Sequence, residues 1–256
     1  MKHSKKLTIF IILIILIIII ICVFYFYKKY DENQVNDYNN LKKHGIEVAA
    51  HRVNIESKLL ELTKMGINNI EVDAHMQDKK LIVGHEAENS IGQALEDYLD
   101  LIEKANPNYT FMWLDLKDLT EDNQDVIFEK LEALDKKFNL KNRVLIESRY
   151  VNALQVFNIN GWKTGYYLKY DLGSQSDEYI KNVINDLNKT KTPAITFDCE
   201  HINFAYDKFK NVKLNNGNYI SLNCWDMKQK RFSKSDLENV KNIDRILISI
   251  KTRNNL

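Results

Sequence analysis

"INNIEVDAHMQDKKLIVGHE", residues 67–86, sets Glu71, Asp73, His75 and His85 into a frame in which polar and apolar positions alternate. Alternation of period two is the pattern of a β-strand with one face packed and one face toward something polar. The stretch therefore reads as a strand, "NIEVDAHM" (69–76), and its return, "LIVGH" (81–85), joined by the charged turn "QDKK". Whether it is a solvated hairpin or part of a site depends on what surrounds it.

Outward from this stretch, strands and helices alternate. "IEVAAHRV" (46–53) precedes the amphipathic "ESKLLELTKMG", "LIVGH" precedes "IGQALEDYLDLIEKA", and "YTFMWLDLK" (109–117) precedes "TEDNQDVIFEKLEALDKKFN". "RVLIES" (143–148), "KTGYYLKY" (163–170), "AITFDCE" (194–200), "NYISLNCWDM" (218–227) and "RILISIK" (245–251) continue the series. The segments between them, including "YVNALQVFNIN", "SDEYIKNVINDLNK", "INFAYDKFKN" and "KSDLENVKN", have helical periodicity. With "LIVGH" taken as an extension of the preceding strand's layer, strands start near residues 46, 69, 109, 143, 163, 194, 218 and 245. Eight βα units in this length predict an α/β fold of the (β/α)8 TIM-barrel class over residues 46–256. A doubly wound open sheet is the competitor, but a nucleotide-binding version needs a Gly-rich first turn, and none of the eight glycines forms G-x-G-x-x-G.

The barrel is preceded by a membrane segment. Residues 7–27, "LTIFIILIILIIIIICVFYFY", are 21 nearly uninterrupted apolar positions, long enough as a helix to cross a hydrocarbon core of about 30 Å. The aromatic run Phe24–Tyr27 and the lack of a small-residue exit predict an uncleaved anchor. Lys2, Lys5 and Lys6 in residues 1–6 favour a cytoplasmic N-terminus, residues 28–45 a polar linker, and an extracytoplasmic domain in a single-pass protein of the cell membrane. A formal charge of +1 gives no field for nucleic acid. Cys199 and Cys224 are the only thiols after the span; export would let them pair, yet without a disulfide framework or C-x-x-C they read first as small buried hydrophobes.

Barrel chemistry collects at the C-terminal ends of the strands. Those ends carry His51 and Arg52, Glu71 and Asp73, His85 and Glu86, Asp115 and Lys117, Glu147, Lys169, Asp198 and Glu200, and Trp225 and Asp226. Glu71 and Asp73, two apart, point to the same side. Neighbouring carboxylates in a barrel mouth stay ionised only beside a cation. Asp115 supplies a third oxygen, and an all-carboxylate set suits a hard cation, Mg²⁺ or Ca²⁺. The bland reading is a structural network of these acids with Lys117 and Arg52. His51 and His85, on neighbouring ends, suit metal-assisted phosphodiester chemistry, in which one imidazole takes a proton and the other gives one. His75 ranks behind them, one step further along.

Together, "AHRVN", "IEVDAH" with its Glu twenty positions after His51, "GHE", "WLDLK" and "NCWDM" resemble the PLC-like phosphodiesterase superfamily of TIM barrels, which includes glycerophosphodiester phosphodiesterases and sphingomyelinase D-type phospholipases. The resemblance implies His51 and His85 as the acid/base pair, Glu71, Asp73 and Asp115 as ligands of a divalent cation, Arg52 and Lys117 facing phosphate, and Trp225 lining the pocket. Glu147 and Lys169 join the substrate side by their strand-end positions. There are departures. Val53 stands where a glycerophosphodiesterase has glycine, Glu86 follows the second histidine in place of Asp, and Asp115 in "DLK" is nearer the sphingomyelinase D pattern. Thirty positions from His85 to Asp115 leave no room for a large insertion over a glycerol end. "AHRVNIESKL" and "GHEAENSIGQALEDYL" are also similar to the menorin-like branch. The expectation is a membrane-anchored phosphodiesterase acting on a phospholipid headgroup, a glycerophosphodiester or an envelope polymer. The alternative is a barrel whose rim only binds an envelope glycan or phosphate-bearing polymer.

Overall fold

A computed structural model describes residues 2–86, 90, 92–225, 240 and 242–252. Eight parallel strands close on themselves: β1 (Glu47–Ala50), β2 (Ile70–Gln77), β4 (Met112–Leu116), β5 (Val144–Ser148), β6 (Lys163–Tyr167), β7 (Ala194–Asp198), β8 (Ser221–Trp225) and β9 (Arg245–Ile248), with β1 pairing both β9 and β2. The short β3 (Lys80–Val83) returns antiparallel along β2, His75 opposite Ile82, as the charged turn implied. Helices α2 (Glu56–Lys64), α3 (Leu95–Ala105), α4 (Gln124–Phe138), α5 (Gln155–Ile159), α6 (Asp177–Thr190) and α7 (Ile202–Phe209) follow successive strands. Asp226 and most of the helix expected over 234–242 lie outside the described residues.

Alternation along the strands divides the core in two. Val48, Val72, Leu114, Ile146, Ile195, Leu222 and Ile246 face outward and pack with helix residues such as Leu59, Leu99, Ile127 and Leu187 in one large apolar shell. Ala49, Phe111, Trp113, Leu145, Trp225 and Leu247 face inward and fill the barrel as a second cluster. Burial of the outer shell, at roughly 25 cal/mol per Å² of apolar surface, holds helices to strands. The inner apolar layer leaves the next inward positions toward the strand ends for polar groups.

Helix α1 runs unbroken from Lys2–Lys43. Residues 12–29 are exposed, and α1 alone among the described residues is long and apolar enough to cross a membrane. The linker expected to be a loose tether is helical. Tyr38 and Leu41 are fully buried in the outer shell, and the Gln34 amide bonds Lys251 twice, donating to its carbonyl at 3.1 Å and accepting from its N–H at 2.8 Å. Residues 31–43 thus cover the side of the barrel beside its last strand.

Candidate active site

The loop after β1 carries His51 and Arg52. The His51 N–H donates to Ile248 O at 2.9 Å and the Val53 N–H to Glu71 O at 2.8 Å, tying the loop to both neighbouring strands. Arg52 between them has φ 55°, a left-handed conformation costly for a side-chain-bearing residue. The Arg52 N–H donates to the Glu71 carboxylate, and buried Lys58 donates to both His51 O, at 2.7 Å, and Arg52 O, at 3.1 Å. Val53 avoids the strained position. It is fully buried, and its carbonyl accepts from Tyr98 Oη at 2.6 Å, so the departure from glycine fits this loop.

Glu71, Asp73 and Asp115 each offer an oxygen, all within 4.8 Å of one another, and β2 and β4 set Asp73 opposite Asp115 in register. At such a separation two ionised carboxylates repel by roughly 3 kcal/mol at an effective dielectric of about 20. Burial, with Asp73 beside it, drives the Glu71 carboxyl well above the usual carboxylate range. Burial also raises Asp115, whereas at Asp73 the Lys117 ammonium overrides burial and holds the carboxyl down. Lys117 Nζ lies 2.6 Å from Asp73 Oδ1 and also donates to Asp115. Asn54 clamps Asp73 from the other side: its amide donates to Asp73 Oδ2 at 2.6 Å, and its carbonyl oxygen accepts the Asp73 N–H at 2.9 Å.

His51 and His85 flank this cluster. Burial and the Arg52 guanidinium push His51 down to about 3, so it is a neutral imidazole, with Nδ1 3.5 Å from Ser249 Oγ. His85 is held low by burial and Lys117; its Nε2 lies 2.8 Å from Arg52 Nη2 and its Nδ1 3.6 Å from Glu86 Oε1. Gly84 before it has φ +150°, and a Cβ there would come within 2.9 Å of Ser90, so the turn that delivers His85 needs glycine.

His51, Arg52, Glu71, His85, Asp115, Lys117, Glu147 and Trp225 line one narrow cleft at the strand ends, with Asp73 held just beneath by Lys117. Glu147 is 2 % exposed, and burial with Asp115 nearby raises its carboxyl well above the ordinary range. Lys169 is not brought into the cleft: it is exposed and its Nζ sits 5.1 Å over the Tyr179 ring. His75 is buried with Nδ1 3.3 Å from Gly84 O, inside the β2–β3 hairpin. Asp198 caps the next turn, accepting the Glu200 N–H at 2.9 Å. The cleft also holds Arg149, Tyr167 and Tyr170, which strand-end reading passed over. Extending the Leu145, Glu147 alternation by one step reaches Arg149. Of the neighbouring tyrosines, Tyr166 packs against the outer shell, whereas Tyr167 turns inward and stacks on Trp225 at 5.3 Å. A disulfide joins Cys199 to Cys224, correcting the reading of both as unpaired hydrophobes: parallel β7 and β8 bring the two Cα atoms to 4.9 Å.

The family model for sphingomyelinase D/phospholipase D matches residues 41–212, from the end of α1 to just past α7. The chain belongs to this family. That makes this sphingomyelinase D/phospholipase D family member a phosphodiester-cleaving enzyme, a phosphoric diester hydrolase by class. No curated protein matches it significantly. Among solved structures it is similar to a glycerophosphodiester phosphodiesterase from Parabacteroides distasonis (18% identity, TM-score 0.57, covering 79% of this chain and 92% of that one). It is also similar to a putative glycerophosphoryl diester phosphodiesterase from Silicibacter pomeroyi (13%, 0.56, 79% and 89%). A third is an Oleispira antarctica phosphodiesterase in complex with its product sn-glycerol-3-phosphate (12%, 0.56, 79% and 92%). At these identities the likeness of the family member to all three is one of fold.

Proposed function

We propose that the chain is a membrane-anchored, divalent-cation-dependent phosphodiesterase acting on a phospholipid headgroup or a related phosphodiester. The observation that carries this reading is the convergence of three carboxylates within 4.8 Å with the imidazoles of His51 and His85 on the same rim. The donor set suits a cation. It is all oxygen, and Glu71 is driven well above its ordinary range even with Lys117 present, so the cluster is short of positive charge. Glu71, Asp73 and Asp115 would hold Mg²⁺ or Ca²⁺, which when bound supplies charge stabilisation to the phosphate oxygens.

The chain's own groups do the rest. His51, neutral, is the base that takes the proton of the attacking hydroxyl. His85, whose proton affinity rises beside an incoming phosphate anion, protonates the leaving oxygen. Arg52 and Lys117 supply donors to the non-bridging oxygens, and Trp225 forms a wall of the pocket. Lys58 and Asn54 position the loop and the carboxylate they bond.

Residues 7–27 would anchor the chain with its N-terminus in the cytoplasm and the barrel outside. The Cys199–Cys224 disulfide supports this placement, since disulfides persist in oxidising compartments. The functional test is titration of Mg²⁺ or Ca²⁺ into the full-length chain in maltoside micelles. One site is expected, weakened by Asp73→Asn; absence of binding for either ion contradicts the reading.

A further inference from the structure

We infer that the cleft selects net-anionic phosphodiesters and rejects those bearing a quaternary ammonium, because Arg149 already occupies the cation-binding face of its aromatic wall. The inference rests on the phosphodiester reading above and names the substrate class within it.

Three rings line one side of the cleft. Tyr167 stacks on Trp225 with centroids 5.3 Å apart and an interplanar angle of 13°. Tyr170 stands edge-on to both, at 5.8 Å and 5.3 Å. Such a group of rings would by itself attract an alkylammonium headgroup. Here the place is taken from within the chain: Arg149 Cζ lies 4.6 Å from the Tyr167 centroid and 5.6 Å from that of Tyr170, and its Nη2 is 3.5 Å from Tyr167 Oη. A choline group in the same cleft would have to displace this guanidinium from two rings or share the wall with a like charge.

The wall offers little room to rearrange, because Trp225 is 3 % exposed within the barrel's inner cluster and Tyr167 packs on it. Arg149 also differs from the cleft's lysine. Lys117 bridges Asp73 and Asp115, whereas among the described residues no carboxylate forms an ion pair with Arg149. Its planar, permanently charged fork suits an anionic or hydroxyl-bearing headgroup.

The test is binding of glycerophosphoglycerol and glycerophosphocholine, by calorimetry, to the full-length His51→Ala chain in maltoside micelles with Mg²⁺. With Arg149 in place, glycerophosphoglycerol should bind at least about tenfold more tightly, each tenfold being about 1.4 kcal/mol. Adding Arg149→Gln should bring the two within about threefold, and Arg149→Lys, which keeps charge without the fork, should fall between them. Equal or tighter binding of the choline ester by the Arg149 protein, a preference that survives Arg149→Gln, or binding of neither ligand overturns the inference. The preference in binding, with a wild-type chain that cleaves neither ester, would overturn the phosphodiesterase reading and leave this one standing.

Discussion

Lys117 Nζ lies 2.6 Å from Asp73 Oδ1 and donates at the same time to Asp115, so one ammonium bridges two of the three carboxylates that would hold a divalent cation. The contact is close because Lys117 follows Asp115 by two positions on the same inward face and Asp73 is opposite in register. A divalent cation bound there and this ammonium would compete for the same oxygens.

Replacing Lys117 by Met removes the competitor. Divalent-cation affinity should rise, measured by calorimetry, while phosphodiester cleavage falls by about 100-fold or more through loss of a charge aimed at the transition state. A drop in cation affinity would mean that Lys117 organises the carboxylates more than it opposes the ion.

Asn54→Ala should weaken cation binding by about 10- to 100-fold, the usual effect of removing a group that orients a ligand. Both hydrogen bonds of the Asn54 amide go to Asp73. Titration of Mg²⁺ or Ca²⁺ into the variant checks this, and unchanged affinity would show that Asp73 needs no clamp.

Glu147→Gln imitates the protonated carboxyl that burial enforces. A carboxyl raised on folding contributes stability that is present below its unfolded value of about 4.3 and is lost as pH rises through the folded value. The variant, lacking this loss, should unfold at higher denaturant than the wild type at pH 8, by about 1 kcal/mol or more, with the gap closing toward pH 4. Chemical unfolding at the two pH values, in chelator, reads it.

Reduction of the Cys199–Cys224 disulfide, or the double Ser variant, should lower stability by about 3 kcal/mol, the scale expected for a loop of about 25 residues, and the separation here is 25. Thermal unfolding with and without reductant measures the change. The same loop carries His201, whose Nε2 lies 2.7 Å from Tyr170 O, so the aromatic side of the cleft should loosen with it.

The barrel was legible because its strands alternate so regularly: Glu71 and Asp73, or Trp113 and Asp115, announce an inward face by spacing alone. The same regularity placed His51, His85 and the carboxylates on one rim. What periodicity does not carry is the company each residue keeps. Lys169 falls at a strand end like the others, yet the chain turns there and gives it to Tyr179. Asn54 and Lys58 sit beyond any strand pattern, and their roles arise from the left-handed turn at Arg52. The pairing of Cys199 with Cys224 depends on the register of β7 and β8, which composition does not encode. The linker 28–45 hid its helix, which runs to Lys43, because only Tyr38 and Leu41 are fully buried in a polar background.

The most direct measurement is the rate of p-nitrophenol release from bis-p-nitrophenyl phosphate by the full-length chain, with Mg²⁺ or Ca²⁺ and with chelator, for wild type and His51→Ala. Release should depend on the cation and fall by about 100-fold or more in the variant, the scale of a lost general base. Release by His51→Ala at the wild-type rate, or no release by the wild type with either ion, would contradict the account.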